Sequence, residues 1–240
     1  MIESNVHAHA PHPFRTSSFG FWPRHDLGDE RGALTVPYVG QTRMQLTISS
    51  GLAEAHVRVE PDAADLIAID CCETFAPRLR ASASELRLSW PATFGAWLRA
   101  ALAGECRDIE LVLHPAVEWT VHVRSGLSRF EADLAAGKLA GLHISGGVSD
   151  AFLDLPAPAA VVPVRIAGGV SQLTLRRPAA AGVELAISGG VSRLCLDDQS
   201  FGAIGGPARL ASGAIRGDVP GYAVAISGGA SGLEIVGRSS

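Results

Sequence analysis

Residues 187–196 read ISGGVSRLCL, and this ten-residue phrase decides the fold because variants of it recur along the chain. The other copies in the same register are ISSGLAEAHV at 48–57, VRSGLSRFEA at 123–132, ISGGVSDAFL at 144–153, IAGGVSQLTL at 166–175 and ISGGASGLEI at 226–235. The fourth place is glycine in every copy: Gly51, Gly126, Gly147, Gly169, Gly190 and Gly229. A unit that recurs at intervals of about 20 residues predicts a repeat architecture.

Apolar residues take the first, fifth, eighth and tenth places of most copies, as Ile187, Val191, Leu194 and Leu196 do. Their spacing of two on each side of the glycine is the period of a β-strand with one face in a core. Glycine can adopt φ > 0 or allow backbones to approach closely. We therefore interpret the fourth-place glycine as the corner between two strands.

Two architectures satisfy this pattern. In a β-solenoid each repeat is one coil, and identical places stack about 4.8 Å apart. In an antiparallel meander each Gly-Gly pair is a two-residue hairpin turn. The solenoid is favoured because every place in the phrase keeps its residue class, whereas a meander needs only the alternation.

The predicted fold class is therefore all-β: a single β-solenoid with coils of about 20–22 residues. One short helix is predicted around 92–103, where Phe94, Trp97 and Leu98 begin a helical spacing of apolar residues. Three regions are expected. They are an N-terminal arm at 1–40, partly disordered, an N-terminal β section with the helix at 41–107, and the regular solenoid at 108–240.

The phrases resemble the bacterial putative-adhesin repeat domain, also called the ToastRack domain. Residues 108–117, DIELVLHPAV, are similar to the lead-in strand of that family, and the ISGGVS-type phrases continue the resemblance to Ile235. The resemblance implies a β-solenoid scaffold without enzymatic activity, often part of assemblies of the bacterial envelope or its stress responses. We expect such a scaffold to self-associate or to dock a protein partner, and no cofactor is predicted.

Charge and hydropathy restrict the partners. The formal net charge of the 240 residues is −4 with both signs interspersed, so nucleic acid is not an expected partner. No window reaches about 18 consecutive apolar residues, which argues against direct membrane insertion. The first residues lack the apolar stretch of a signal peptide. We expect a cytoplasmic protein, with any membrane association made through a partner.

Chemistry-bearing residues are few. His7, His9 and His12 alternate in HAHAPHP and are weak candidates for a metal site, although a tail with incidental histidines explains them as well. The sixth-place serines recur in equivalent positions, Ser149, Ser171, Ser192 and Ser231, whereas a catalytic serine needs one unique geometry. We expect each hydroxyl to bond a neighbouring backbone group or the equivalent serine one coil away. His143 is interpreted as an outward surface residue, and no enzyme is predicted.

Two surfaces remain as functional hypotheses. The last phrase ends at Ile235 with only VGRSS after it, so Leu233, Ile235 and Val236 are predicted to form an open strand edge used in assembly. The alternative hypothesis is a carbohydrate or small-ligand binding module that uses a solenoid face. Trp90, Trp97 and Trp119 could supply stacking surfaces for it, or belong to the core.

Overall fold

The computed structural model describes residues 31–49, 54–72, 77–90, 108–124, 126–213 and 219–238. Within these ranges the protein is all-β, with two mixed sheets and no helix. The ten-stranded sheet contains β1 (Arg31–Pro37), β3 (Glu54–Val59), β4 (Asp65–Cys72), β7 (Asp108–Leu113), β9 (Leu127–Asp133), β11 (Val148–Asp154), β13 (Leu173–Pro178), β15 (Val191–Leu196), β16 (Gln199–Ile204) and β19 (Ala230–Arg238). The nine-stranded sheet contains β2 (Arg43–Ser49), β5 (Arg78–Ala81), β6 (Glu85–Ser89), β8 (Glu118–Arg124), β10 (Lys138–Ser145), β12 (Val161–Ala167), β14 (Gly182–Ile187), β17 (Ala208–Ser212) and β18 (Gly221–Ile226).

The core consists of the apolar residues that alternate along these strands. In β8, Trp119, Val121 and Val123 are buried while the residues between them are partly exposed. Phe130 of the ten-stranded sheet and Tyr222 of the nine-stranded sheet belong to the same buried cluster. Alternation of period two therefore directs one face of each sheet into one shared core.

The repeated phrase spans two sheets. At six places a short connection joins a strand of the nine-stranded sheet to the next strand, which lies in the ten-stranded sheet, and we call each such unit a strand pair: β2–β3, β8–β9, β10–β11, β12–β13, β14–β15 and β18–β19. β6 and β7 also follow each other across the two sheets, but residues 90–107 separate them. Identical places of neighbouring phrases lie side by side in parallel, for example Ile144 beside Ile166 and Leu153 beside Leu175. The strands flanking each described Gly-Gly pair are not hydrogen-bonded to each other, so the pair is not a hairpin turn.

The strand pairs are not stacked in chain order. Along both sheets the order is β2–β3, β8–β9, β10–β11, β12–β13, β18–β19, β14–β15. After β15 the chain forms β16 and β17, which run antiparallel along β15 and β14 and form one end of each sheet. It then returns to place β18–β19 between two strand pairs made earlier.

This return corrects the predicted assembly edge. Leu233 lies between Leu173 and Leu194, and Ile235 lies between Leu175 and Leu196. Val236 is paired with Arg176 of β13. The expectation of an open edge at Leu233, Ile235 and Val236 is wrong because the last phrase fills a place inside the ten-stranded sheet.

The structure bears on only some of the predictions about the three regions of the chain. Residues 31–37, assigned to the arm, form β1 and pair with β4. The helix expected around 92–103 lies outside the described residues. β2 pairs with both β6 and β8, so strands on either side of residue 107 share one sheet. The boundaries at 40 and 107 stay predictions.

Candidate functional site

A shallow groove of about 890 Å³ runs along the corner where the chain passes from the nine-stranded to the ten-stranded sheet. Its lining is made of glycine, serine and small aliphatic residues, contributed by five strand pairs and by the end of β16. Neighbouring strands are about 4.8 Å apart, so five strand pairs give the groove a length of about 19 Å.

The groove exists because a row of exposed glycines follows this corner. We call these fourth-place residues the outer glycine row: Gly126, Gly147, Gly169, Gly229 and Gly190, in their order along the stack. Their φ angles lie outside the left-handed region, and a methyl group on any of them would meet only a carbonyl oxygen at 3.5–3.9 Å. These are ordinary van der Waals distances. The backbone therefore does not require glycine at the fourth place. These residues do lie at the corner between two strands, as predicted.

Steric crowding instead requires glycine at the preceding residue, the third place of the phrase. We call these third-place residues the inner glycine row: Gly146, Gly168, Gly228 and Gly189. A methyl group at Gly189 would lie 2.5 Å from the carbonyl oxygen of Gly228, and one at Gly228 would overlap the carbonyl oxygen of Gly168. Gly168 also has φ = +149°, a conformation that side chains rarely adopt. The conformational role that we assigned to the fourth-place glycine thus belongs to the third-place glycine, the first of the two glycines in ISGGVS.

Serine hydroxyls line one side of the groove at the sixth place. Ser149, Ser171 and Ser192 are exposed, and no side-chain hydrogen bond joins them to another part of the described chain. Two second-place serines instead bond the backbone: Ser145 Oγ donates to Val123 O at 3.3 Å and Ser227 Oγ donates to Ile166 O at 3.4 Å. The expected structural bond belongs to the second place, and the sixth-place hydroxyls remain available to a ligand.

The groove floor is held by backbone bonds between strand pairs. Val148 N donates to Gly169 O, Val170 N to Gly229 O and Ala230 N to Gly190 O, each at 3.0 Å. The fifth-place side chains beneath, such as Val148 and Val170, are buried. Because these fifth-place amides already have partners, they are not available as donors to a ligand.

The opposite ends of the strands in the ten-stranded sheet carry charge. The carboxylate of Asp154 is buried and accepts from Arg176 Nε at 2.9 Å, and it also pairs with Arg238. Arg177 is buried and donates to Asp197 Oδ2 at 2.6 Å. Asp197 also accepts from the hydroxyl of Ser212 and the backbone of Gly237. Asp197 therefore joins strands in this structure, whereas Arg177 Nε is buried without a hydrogen-bond partner among the described residues.

A buried tyrosine belongs to the same side of the molecule. The hydroxyl of Tyr222 donates to the carbonyl of Pro156 at 2.5 Å. Burial raises the pKa of Tyr222 well above its ordinary value, so the phenol stays protonated and acts as a donor. This bond anchors β18 to the connection that follows β11.

Three histidines on the outer faces have shifted pKa values. The pKa of His56 is raised, chiefly by its hydrogen bond to Glu131, although burial opposes the shift. Burial lowers the pKa of both His122 and His143, helped by the nearby positive charge of Arg124 and Arg165. The ring centroids of His122 and His143 lie 4.6 Å apart with the ring planes tilted by 48°, in half-buried outward positions beside those arginines.

Several predicted residues are placed elsewhere or not described. Gly51, Trp97, His7, His9 and His12 lie outside the described residues. Within the described ranges no group of three or more His, Cys, Asp or Glu side chains could hold a metal ion. Trp90 and Trp119 are buried in the core, so neither offers a stacking surface to a sugar. No helix formed by the described residues is long and apolar enough to cross a membrane.

The architecture defines a class of protein: an all-β chain built from strand pairs stacked in parallel register around one core. Among solved structures, the fold is similar to the crystal structure of a putative cell adhesion protein from Clostridium sporogenes ATCC 15579, with a TM-score of 0.57. The identity is 15%, and the match covers 87% of this chain and 97% of that chain. No family model matches the chain. No curated protein matches it either.

Proposed function

We propose that this chain is a non-enzymatic interaction protein of the adhesin type, whose stacked strand pairs present the corner groove to a protein partner. The observation that carries the proposal is the outer glycine row. Its five glycines are exposed, and the backbone does not require them. Their common consequence is an open groove, since any larger residue at these places would fill it.

The scaffold in this proposal is a single β-solenoid, in which each strand pair and its connections form one coil of about 20–22 residues. The parallel, in-register pairing of identical places supports it. One coil, β18–β19, is out of chain order. The similarity of the fold to that of a protein described as a putative cell adhesion protein supports the same kind of role.

The groove chemistry suggests what the partner presents. No charged side chain is among the residues that line it, and the polar side chains among them are serines. An ionic segment would lose water there without gaining a counter-charge. We therefore propose that the partner inserts a neutral, polar segment, while charged residues at the seventh place, such as Arg129, Asp150 and Arg193, remain exposed at the rim.

We propose binding rather than catalysis because the same residue types line the groove in each successive strand pair. The sixth-place serines occupy equivalent positions in successive strand pairs, as the pairing of Ser192 with Ser231 illustrates. Nucleophilic catalysis needs one serine beside one base and an oxyanion site. A row of equal hydroxyls suits a partner that follows the stack axis.

The test compares capture by variants of the groove. Gly169→Trp fills the middle of the groove, where a Cβ has ordinary clearance of 3.9 Å. Ala225→Trp places the same ring on the exposed face of β18 as a control. Host proteins retained by wild type and Ala225→Trp but lost with Gly169→Trp, at equal thermal stability, support the proposal. Equal retention by all three proteins would contradict it.

A further inference from the structure

Residues 219–238, which we call the insert, occupy a place bounded by strand pairs that precede them in the chain. β18 pairs in parallel with β12 on one side and β14 on the other. β19 pairs in the same way with β13 and β15. β12–β13 and β14–β15 are consecutive in the chain, yet they are separated by the width of one strand pair, which we call the slot.

The side chains of the insert continue the rows on both walls of the slot. Ile226 lies between Ile166 and Ile187. In the other sheet Leu233 lies between Leu173 and Leu194. All six of these residues are buried. Because each row joins aliphatic residues of similar size, the slot is shaped for a strand pair of this sequence.

Backbone bonds hold the insert from both sides. Ser227 N donates to Ile166 O at 3.0 Å on one wall, and Ser188 N donates to Ile226 O at 2.9 Å on the other. Without the insert, four strands would present unpaired edges across the slot, and such edges recruit another strand. None of these contacts requires that the insert and the slot belong to the same molecule.

We propose that the slot also accepts the insert of a second copy of this chain, so that two chains exchange residues 219–238 in a strand-exchanged dimer. The rows and backbone bonds are the same in both states, which makes exchange a low-cost route to association. The balance is then set by the effective concentration of an insert near its own slot, on the order of mM for a short link. Exchange therefore requires folding at high protein concentration and does not depend on what the groove binds.

The experiment uses two cysteine variants of the full chain that can join only across the slot. Ala186 of β14 and Ala225 of β18 are neighbours in register, and strands about 4.8 Å apart are within the span of a disulfide. One protein carries Ala186→Cys and the other Ala225→Cys, each with the four native cysteines replaced by alanine. The two are unfolded, refolded together at about 1 mM, and oxidised.

The expected product is a covalent dimer containing both variants, in clear excess over dimers of either variant with itself. The same proteins refolded separately and then mixed should give little of it, because release of the insert requires opening both sheets. Mixed dimers no more abundant than same-variant dimers would overturn the proposal.

If the cysteine variants do not refold, the wild-type chain decides the question. After refolding at increasing concentration, light scattering should show a shift from 24.9 kDa to twice that mass. A single 24.9 kDa species at every concentration, up to the mM range where exchange competes with the chain's own insert, overturns the proposal.

Discussion

The two corners of the stack are built by opposite means. Where the chain passes from the nine-stranded to the ten-stranded sheet, the corner has paired glycines, no charged lining and an open groove. At the other ends of the same strands, Asp154 forms an ion pair with Arg176, and Arg177 forms one with Asp197. The hydroxyl of Tyr222 donates a hydrogen bond to the carbonyl of Pro156. One corner is held by close backbone approach and the other by side chains. Of these two corners, the glycine corner is the one that carries the groove proposed to receive a partner.

The sharpest way to break this comparison is to add a methyl group to the inner glycine row. Gly228→Ala should destabilise the protein by about 3 kcal/mol, because the methyl overlaps a backbone oxygen that cannot move without disturbing the stack. Guanidinium unfolding monitored by circular dichroism measures the change. The matched control is Gly229→Ala in the outer row, expected within about 1 kcal/mol of wild type because its methyl has room. Equal losses in the two variants would show that the rows do not differ.

The side-chain corner should depend on its buried carboxylate. Asp154→Ala leaves Arg176 and Arg238 without their shared partner, and both arginines are about 30% exposed, so water compensates in part. We expect a loss of about 2 kcal/mol by thermal or denaturant unfolding. The exposed pair Arg43–Glu118 provides the control, since Glu118→Ala should cost under about 1 kcal/mol. A loss of the same size in both variants would contradict the special role of Asp154.

Tyr222→Phe tests the same corner with a smaller change. The variant keeps the buried ring but removes the hydrogen bond to Pro156 O, for an expected loss of about 1–2 kcal/mol. Tyr38→Phe is the control, because the Tyr38 ring is half-buried and stacks on His114 with ring centroids 3.8 Å apart. Unfolding midpoints of the two variants should differ. Indistinguishable midpoints would mean that the bond to Pro156 adds nothing to stability.

The smallest expected effect is a pH dependence of opposite sign on the two outer faces. Because the pKa of His56 is raised in the folded protein, the protonated side chain stabilises the fold fully at pH values below 6.5, the ordinary pKa of histidine. This contribution is lost as the pH rises through the pKa of the folded state. The lowered pKa of His143 means that stability falls as pH drops below 6.5, because the unfolded chain takes up the proton first. His56→Gln should therefore destabilise more at pH 5.5 than at pH 8, and His143→Gln should stabilise selectively at the lower pH. Unfolding at both pH values measures this, and parallel shifts would refute it.

Much of the local structure could be read from the phrase. Alternation around Gly190 predicted which residues of β14 and β15 face the core, and Ile187, Val191 and Leu194 are buried as expected. The recurring residue class at each place predicted the side-by-side position of Ile144 and Ile166. These features follow from the strand period and from the advantage of stacking like residues.

Only part of the candidate site could be predicted from the sequence. The phrase located the corner, but recurrence alone could not separate a glycine needed by the backbone from one that opens a groove. That distinction depends on where the carbonyl oxygens of the neighbouring strand pair lie, as at Gly228 and Gly168. The sixth-place serines were likewise expected to bond neighbouring backbone or the equivalent serine one coil away, whereas the structure shows serine-to-backbone bonds at Ser145 and Ser227.

The sequence by itself determined the β class, the face that each strand buries and the corner at which the phrase turns, because these are properties of neighbouring residues. Only the tertiary structure decided the order of the strand pairs, and with it the position of Leu233 and Ile235 inside a sheet. The physical reason is that the aliphatic rows are nearly interchangeable. A strand pair whose residues match every neighbour equally well carries no local signal for which neighbours it will have.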